Sequence, residues 1–219
     1  FQMMYNGDRL SGVAGIYYLD GSADGAFDLL LSALGLTVYQ AGKQDKENFS
    51  VYGDFTYDLT DQWSVSLGGR FTKDETTADV TRELWLGMGS GSFDPTNTSS
   101  IFFVTQTGYE GLNREDEEFT PRISVSYKPT DDLNIYATYA QGFKAGGFDP
   151  RARADLDTLG LSQEGFGPEK VDSYELGIKG SFFDDRLLLN TAVFFAEYTD
   201  QQITVQSGAD SDNDGVNDT

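Results

Sequence analysis

Apolar and polar residues alternate with period two along much of this chain. From Phe49 the odd positions Phe49, Val51, Phe55, Tyr57 and Leu59 are apolar. The even positions Ser50, Asp54, Thr56 and Asp58 are polar. After Thr60-Asp61-Gln62 the pattern resumes, with Trp63, Val65, Leu67 and Phe71 against Ser64, Ser66, Arg70 and Thr72. Side chains of a strand point to opposite faces in turn, so this predicts a hairpin with one apolar and one polar face. A second hairpin is predicted over residues 119–143, turning at Pro129-Thr130-Asp131-Asp132, and a third over 171–199, turning at Phe183-Asp184-Asp185-Arg186. The return strand of the third carries apolar residues on both parities, so its facing stays open. Asn6-Gly7-Asp8 is a tight-turn signal between a strand ending at Tyr5 and another over residues 10–19. Pro121 cannot donate to a ladder and is expected to mark a bulge.

These elements amount to about eight antiparallel strands. The connections between them alternate in length. Tight turns fall near residues 7, 61, 131 and 185, and long loops are expected over 20–47, 73–118 and 144–170, with an open segment from 200. A short helix over residues 27–36 and a small extra hairpin at 100–107 are expected within those loops. A soluble sandwich rarely carries structureless connections of that length. A transmembrane β-barrel does, with short periplasmic turns at one rim and long extracellular loops at the other. Strands of about eleven or twelve residues also suit a tilted membrane crossing. Tyr57, Trp63 and Tyr127 near the short turns, and Phe49, Phe71 and Phe143 toward the other rim, suit two aromatic girdles. The polar parity, including Asp54, Arg70, Arg122, Lys128, Glu175 and Lys179, would then line the lumen.

Composition narrows the function classes. The 219 residues include no cysteine and no histidine, which removes Cys/His zinc sites, thiol catalysis and Ser-His-Asp triads. A formal charge of −21 argues against a nucleic-acid partner. No apolar run reaches the roughly 18 residues a membrane helix needs, so a span must be built of strands. No acid/base pair, phosphate loop or nucleophile sits in a recognisable catalytic context, so no enzyme is expected.

Two segments go beyond periodicity. Residues 135–148 (IYATYAQGFKAGGF) and 166–180 (FGPEKVDSYELGIKG) closely resemble parts of TonB-dependent receptor barrels, and residues 185–202 continue the likeness. The resemblance implies a 22-stranded bacterial outer-membrane barrel with a plugged lumen. It also implies uptake of a scarce ligand, an iron-siderophore complex before cobalamin or a carbohydrate, with energy delivered through TonB. The chain would be about a third of such a barrel, because no plug, TonB box or terminal aromatic strand end is recognisable and both ends read as cut. The partners implied are outer-membrane lipid and lipopolysaccharide, the TonB complex acting through the plug, and a small ligand such as a siderophore. A passive porin or structural barrel is the alternative, and a secreted calcium-binding β-protein a more distant one.

One local motif is sharp. Residues 210–218 read D-x-D-x-D-G-x-x-D. Asp210, Asp212 and Asp214 at alternate positions can converge on a calcium ion, with Val216 offering its carbonyl and Asp218 binding directly or through water. The alternative is an acidic loop tip. The expected role of calcium is to stiffen an extracellular loop spanning about residues 207–219.

Overall fold

The structure, a computed structural model, describes residues 1–157 and 160–203. It holds one eight-stranded sheet in which each strand pairs antiparallel with its sequence neighbours. The strands are β1 Gln2–Asn6, β2 Leu10–Leu31, β3 Leu36–Asp58, β4 Trp63–Leu86, β5 Ile101–Thr130, β6 Leu133–Lys144, β7 Glu169–Phe182 and β8 Leu187–Thr199. A four-residue helix, α1, covers Leu161–Glu164. Among the described residues the sheet is an open wall, with β1 and β8 at its edges.

All three alternating hairpins form, and the four short turns lie at one rim. Phe183, Asp184 and Asp185 take left-handed backbone angles between β7 and β8. The turn before β4 is tied by Thr60, whose hydroxyl accepts from the amides of Gln62 and Trp63 at 3.2 and 3.0 Å. The register settles the facing of β8. Phe194 stands opposite Glu175 and Asn190 opposite Lys179, so the even positions share the lumen face and Leu189, Val193 and Phe195 point outward.

Two of the three long connections differ from the expected loops. Residues 20–47 and 73–118 are mostly strand, because β2 to β5 run on for 22, 23, 24 and 30 residues. The expected helix over 27–36 is reduced to a 3-10 turn at Ser32–Leu34, closed by Gly35 at φ 64°. The expected small hairpin at 100–107 is instead the start of β5, paired with β4 through Leu86↔Ile101. The loop expected over 144–170 is present. Pro121 marks no bulge: it stands in register with Gly69, and the register breaks of that pair lie at Ala78/Val80, Arg82/Glu83 and Leu84/Trp85. The β5–β6 ladder ends at Arg122, the residue after the proline. A position without an amide donor costs least where pairing stops.

The wall has two zones. In the lower zone the outward face is apolar and half exposed, with Val51, Phe55, Leu67, Phe71 and Ile123. Trp63 stacks on Tyr127 at its lower limit with ring centroids 4.5 Å apart. Phe71 pairs with Phe119 and Tyr18 with Phe49 at its upper limit. The eight residue steps from Trp63 to Phe71 span about 27 Å along the strand, which fits the apolar band of an outer-membrane barrel. The lumen face of this zone is a polar lattice. Arg122 pairs with Asp54 at 2.9 Å, Arg70 donates to Ser50 and Thr72 at 2.7 and 3.1 Å, and Tyr136 donates to Glu175 at 2.6 Å. Lys179 lies over the Tyr136 ring at 5.2 Å. These are the side chains the alternation assigned to the lumen. Lys128 sits at the turn rim with Asp58 and Asp61.

Above this band the polarity inverts. Two residues beyond Phe49 the outward row reads Asp20, Glu47, Glu75 and Glu115 on four successive strands. From the row Ala23–Gln44–Ala78–Leu112 upward, the lumen face turns apolar instead. Val38, Ala78, Val80 and Leu112 are buried there, with Phe148 and Ala152 from the 144–170 connection. These six are the buried apolar residues among those described, so the core of the chain lies in the upper zone.

Candidate functional site: the inner wall of the upper zone

The site is the lumen-side face of β2 to β5 above the aromatic belt, together with the connection from β6 to β7. That connection, here called the strap, is described at residues 145–157 and 160–166. β6 ends at Lys144, which leaves the upper part of β5 without a strand partner on that side. The strap covers this edge. The Thr107 hydroxyl donates to the carbonyl of Ala152 at 2.6 Å and accepts from the amide of Ala154 at 3.0 Å. The amide of Asp155 donates to the carbonyl of Gln106 at 3.2 Å. An uncovered edge invites strand addition, so these bonds are also protective.

The two ends of the strap are fixed separately. The amide of Gly146 donates to Asp116 at 2.8 Å, and Arg114 holds the same carboxylate through two bonds of 3.0 and 2.8 Å. Gly147 and Phe166 exchange backbone bonds of 3.1 and 2.9 Å. Gln202 donates to the carbonyls of Ala145 and Gly167 at 3.0 and 2.8 Å, closing both ends together. Between them Phe148 packs on Ala78 and Leu112, with Tyr109 alongside. Pro150 lies over Gly42, where an added Cβ would come within 3.4 Å of the proline ring.

A cavity of about 390 Å³ remains between strap and wall, within the range of small-molecule sites. Phe27, Gln40, Gly42, Val80, Phe148 and Pro150 are among its lining residues. One register step above Val80 stands Arg82, in the row Phe27–Gln40–Arg82–Thr107. Its guanidinium donates from Nε to the Gln106 side-chain oxygen at 3.0 Å and from Nη1 to that of Gln40 at 3.1 Å. Among the described residues no carboxylate lies within ion-pair distance of it. Burial pushes its pKa down, Arg153 adds to that, and Asp155 opposes it. Arg153 in turn pairs with Asp155 at 2.7 Å, and Arg151 with Asp149 at 2.9 Å. These partners hold both carboxyls below the usual carboxylate range. The arrangement can hold an apolar molecule against the wall and an anionic group at Arg82.

Arg82, Gln40, Gln106 and the strap contacts were not singled out in the sequence, where residues 20–47 and 73–118 read as loops. The signal available was a change of parity. On β4 the apolar positions shift from odd Val65, Leu67 and Phe71 to even Ala78, Val80, Leu84 and Leu86. The expected calcium ligands Asp210, Asp212, Asp214, Val216 and Asp218 lie outside the described residues.

Comparison with known proteins agrees with this geometry. A family profile described as "TonB dependent receptor-like, beta-barrel" matches residues 2–218. The chain is 27% identical over 162 residues to the "Pesticin receptor" of Yersinia pestis, covering 74% of the chain and 20% of that protein. It is 24% identical over 159 residues to the "Probable TonB-dependent siderophore receptor PiuA" of Acinetobacter baumannii, covering 73% of the chain and 19% of that protein. The chain therefore spans about a fifth of the length of these curated relatives. Among solved structures, the ferric yersiniabactin uptake receptor FyuA of Yersinia pestis superposes with a TM-score of 0.70 at 23% identity, over 92% of this chain and 28% of that one. That likeness shows the fold: an all-β antiparallel wall of the same kind. The family match over nearly the whole chain and the two-zone wall place this protein in the bacterial outer membrane, as a member of the TonB-dependent receptor β-barrel family.

Proposed function

We propose that this chain forms part of the barrel wall and outer vestibule of an active-transport receptor that takes up an iron-siderophore complex with energy from TonB. The observation that carries this reading is the strapped cavity, roofed by Phe148 and Pro150 and flanked by the partly buried Arg82 guanidinium, which makes no ion pair among the described residues. A wall meant only to seal a membrane needs neither. The names of relatives support the ligand class, since one is called a siderophore receptor and another structure a ferric yersiniabactin uptake receptor. In this reading the apolar outward band contacts lipid, and the acidic row Asp20–Glu47–Glu75–Glu115 lies at the lipopolysaccharide head groups. The polar lumen lattice faces a plug domain through which TonB acts.

The test is iron uptake by cells carrying the full-length receptor as their only high-affinity route. Uptake of radioactive ferric chelate that stops when TonB is deleted or the proton gradient is collapsed supports an energised receptor. Uptake that persists without TonB and rises linearly with chelate concentration would instead show a passive porin.

A further inference from the structure

The cavity behind the strap carries one polar group with spare hydrogen-bonding capacity. Gln40 lines it and is only 6% exposed, yet its side-chain nitrogen makes no hydrogen bond among the described residues. The orientation of that amide is fixed. Arginine only donates, so the 3.1 Å bond from Arg82 Nη1 falls on Gln40 Oε1, and the NH2 group points away from the guanidinium. Arg82 itself stands outside the lining and acts only by holding Gln40. Among the described residues no side-chain nitrogen or oxygen is sealed from solvent without a partner. The NH2 of Gln40 is therefore reached from open space, and the space that Gln40 lines is this cavity. The other walls are apolar. Val80, Phe148 and Pro150 enclose it, and Gly25 and Gly42, in one register row with Val80, leave its floor bare. A Cβ added at Gly25 would meet nothing within 4 Å, so the cavity extends onto β2. Its mouth lies there, where Ala23, Gly25 and Phe27 are exposed. The charged lining residues Asp24, Lys43 and Asp79 form one row of the outward parity, so their side chains leave from the other face of the sheet.

We infer that this cavity binds a small uncharged molecule, an apolar ring with a single carbonyl-type acceptor to which Gln40 donates, and that its binding holds the strap against the wall. This goes beyond the transport reading, because the occupant is not the iron chelate. A chelate brings charge and a shell of polar donor atoms. The cavity sets one neutral amide against apolar walls, so most of those atoms would lose their hydrogen bonds to water without replacement. An uncharged ring loses little, and its one acceptor meets the one group that lacks a partner. The occupant packs on Phe148 and Pro150 on one side and on β2 to β4 on the other, touching strap and wall together. A molecule bound only when the strap is seated stabilises that state in proportion to its saturation.

The experiment uses the full-length receptor purified in detergent and fluorine NMR titration with two iron-free probes of nearly equal shape, para-fluoroacetophenone and para-fluoroethylbenzene. The ketone binds about fivefold more tightly than the hydrocarbon, the size expected for one neutral hydrogen bond. Gln40→Glu keeps an acceptor for Arg82 and removes the NH2 donors, so the ketone falls to or below the hydrocarbon. Gly25→Leu fills the cavity without altering Gln40 or Arg82 and abolishes the binding of both. Heat-modifiable gel mobility shows that each variant keeps its barrel. At about ten times its Kd the ketone slows trypsin cleavage after Arg151 and Arg153 about tenfold in the wild type and not in Gly25→Leu. Equal affinity of the two probes, or binding that Gly25→Leu leaves intact, would overturn the site; the second result would mean partition into detergent alone. TonB-dependent iron uptake by the same receptor, measured without either probe, decides the transport reading independently.

Discussion

The lower and upper zones of this wall are made by the same strands and obey opposite rules. On β4, Leu67 points outward in the lower zone and is 57% exposed, while Val80 points inward in the upper zone and is 2% exposed. Strand geometry is the same in both, so the difference comes from the surroundings. In the lower zone the outward side meets an apolar medium, and the inner side carries Arg122 paired with Asp54, Arg70 bonded to Ser50 and Thr72, and Glu175 bonded to Tyr136. In the upper zone the outward side carries Asp20, Glu47, Glu75 and Glu115, and the apolar parity turns inward to build a core with Phe148. The switch occurs between Phe71 and Glu75, within two register rows. A membrane boundary crossing a continuous sheet requires such a switch, because a charged outward row is costly in hydrocarbon and favourable in water.

The largest expected effect comes from placing a charge on the outward face in each zone. Leu67→Arg lies midway between the two aromatic rows and should cost about 2–4 kcal/mol, whereas Thr77→Arg on the same face of the same strand should stay within about 0.5 kcal/mol. Urea-dependent folding of the full-length receptor into lipid vesicles measures both. Equal penalties would erase the distinction between the zones.

The reciprocal experiment is on the inner face. Val80→Asp buries an unpaired carboxylate and should cost about 3 kcal/mol, while Ser66→Asp, on the same face in the polar lumen, should cost less than about 1 kcal/mol. A smaller change should follow Thr107→Val, which removes both hydroxyl bonds to the strap and leaves the Ala152 carbonyl and Ala154 amide without them. Trypsin cleavage after Arg151 and Arg153 should then speed up about tenfold, with barrel mobility on gels unchanged.

The strap should also respond to acid. Asp149 and Asp155 are held below their ordinary value of 3.8, chiefly by the side-chain bonds from Arg151 and Arg153. A depressed carboxylate contributes its stability above the unfolded value and loses it as pH falls through the folded one. Tryptic or peptic nicking of the strap should thus be flat from pH 7 to about 5 and rise only below about 4. Loosening near neutral pH would contradict these pairings. The smallest effect concerns the acidic run at residues 210–218. We propose that it takes calcium, so that millimolar calcium protects this loop of the full-length receptor from proteolysis while Asp212→Asn removes the protection. Equal cleavage with calcium and with chelator would leave it an acidic tip.

The lower zone was legible in the sequence because alternation, turn residues and aromatic positions there all point the same way. Asp54, Arg70, Arg122 and Glu175 face the lumen as their parity required. The upper zone was misread as loop for a physical reason. Residues 20–47 and 73–118 are rich in Gly, Ser, Asp and Glu, the composition of loops, and their apolar positions change parity at residues 72–78. Reading outward from Phe71 with a fixed parity makes Ala78, Val80 and Leu84 look out of phase. They are in phase with a second, inward core. The strap contacts were beyond reach for another reason. Nothing local relates Thr107 to Ala152 or Asp116 to Gly146, and they meet only because β6 stops at Lys144 and leaves an edge of β5 to be covered.

The inversion of polarity along β4 is the central claim, and accessibility along that strand tests it most directly. This chain has no cysteine of its own, so in a full-length receptor kept free of other cysteines single substitutions from Val65→Cys to Leu86→Cys can carry a spin label. The account predicts labels at odd positions 65 to 71 in contact with lipid-dissolved oxygen. From position 75 odd labels should contact a water-soluble paramagnet, while even labels at 78 to 84 are shielded from both. Oxygen contact that continues at positions 75, 77 and 79, or free water contact at 78 and 80, would contradict it.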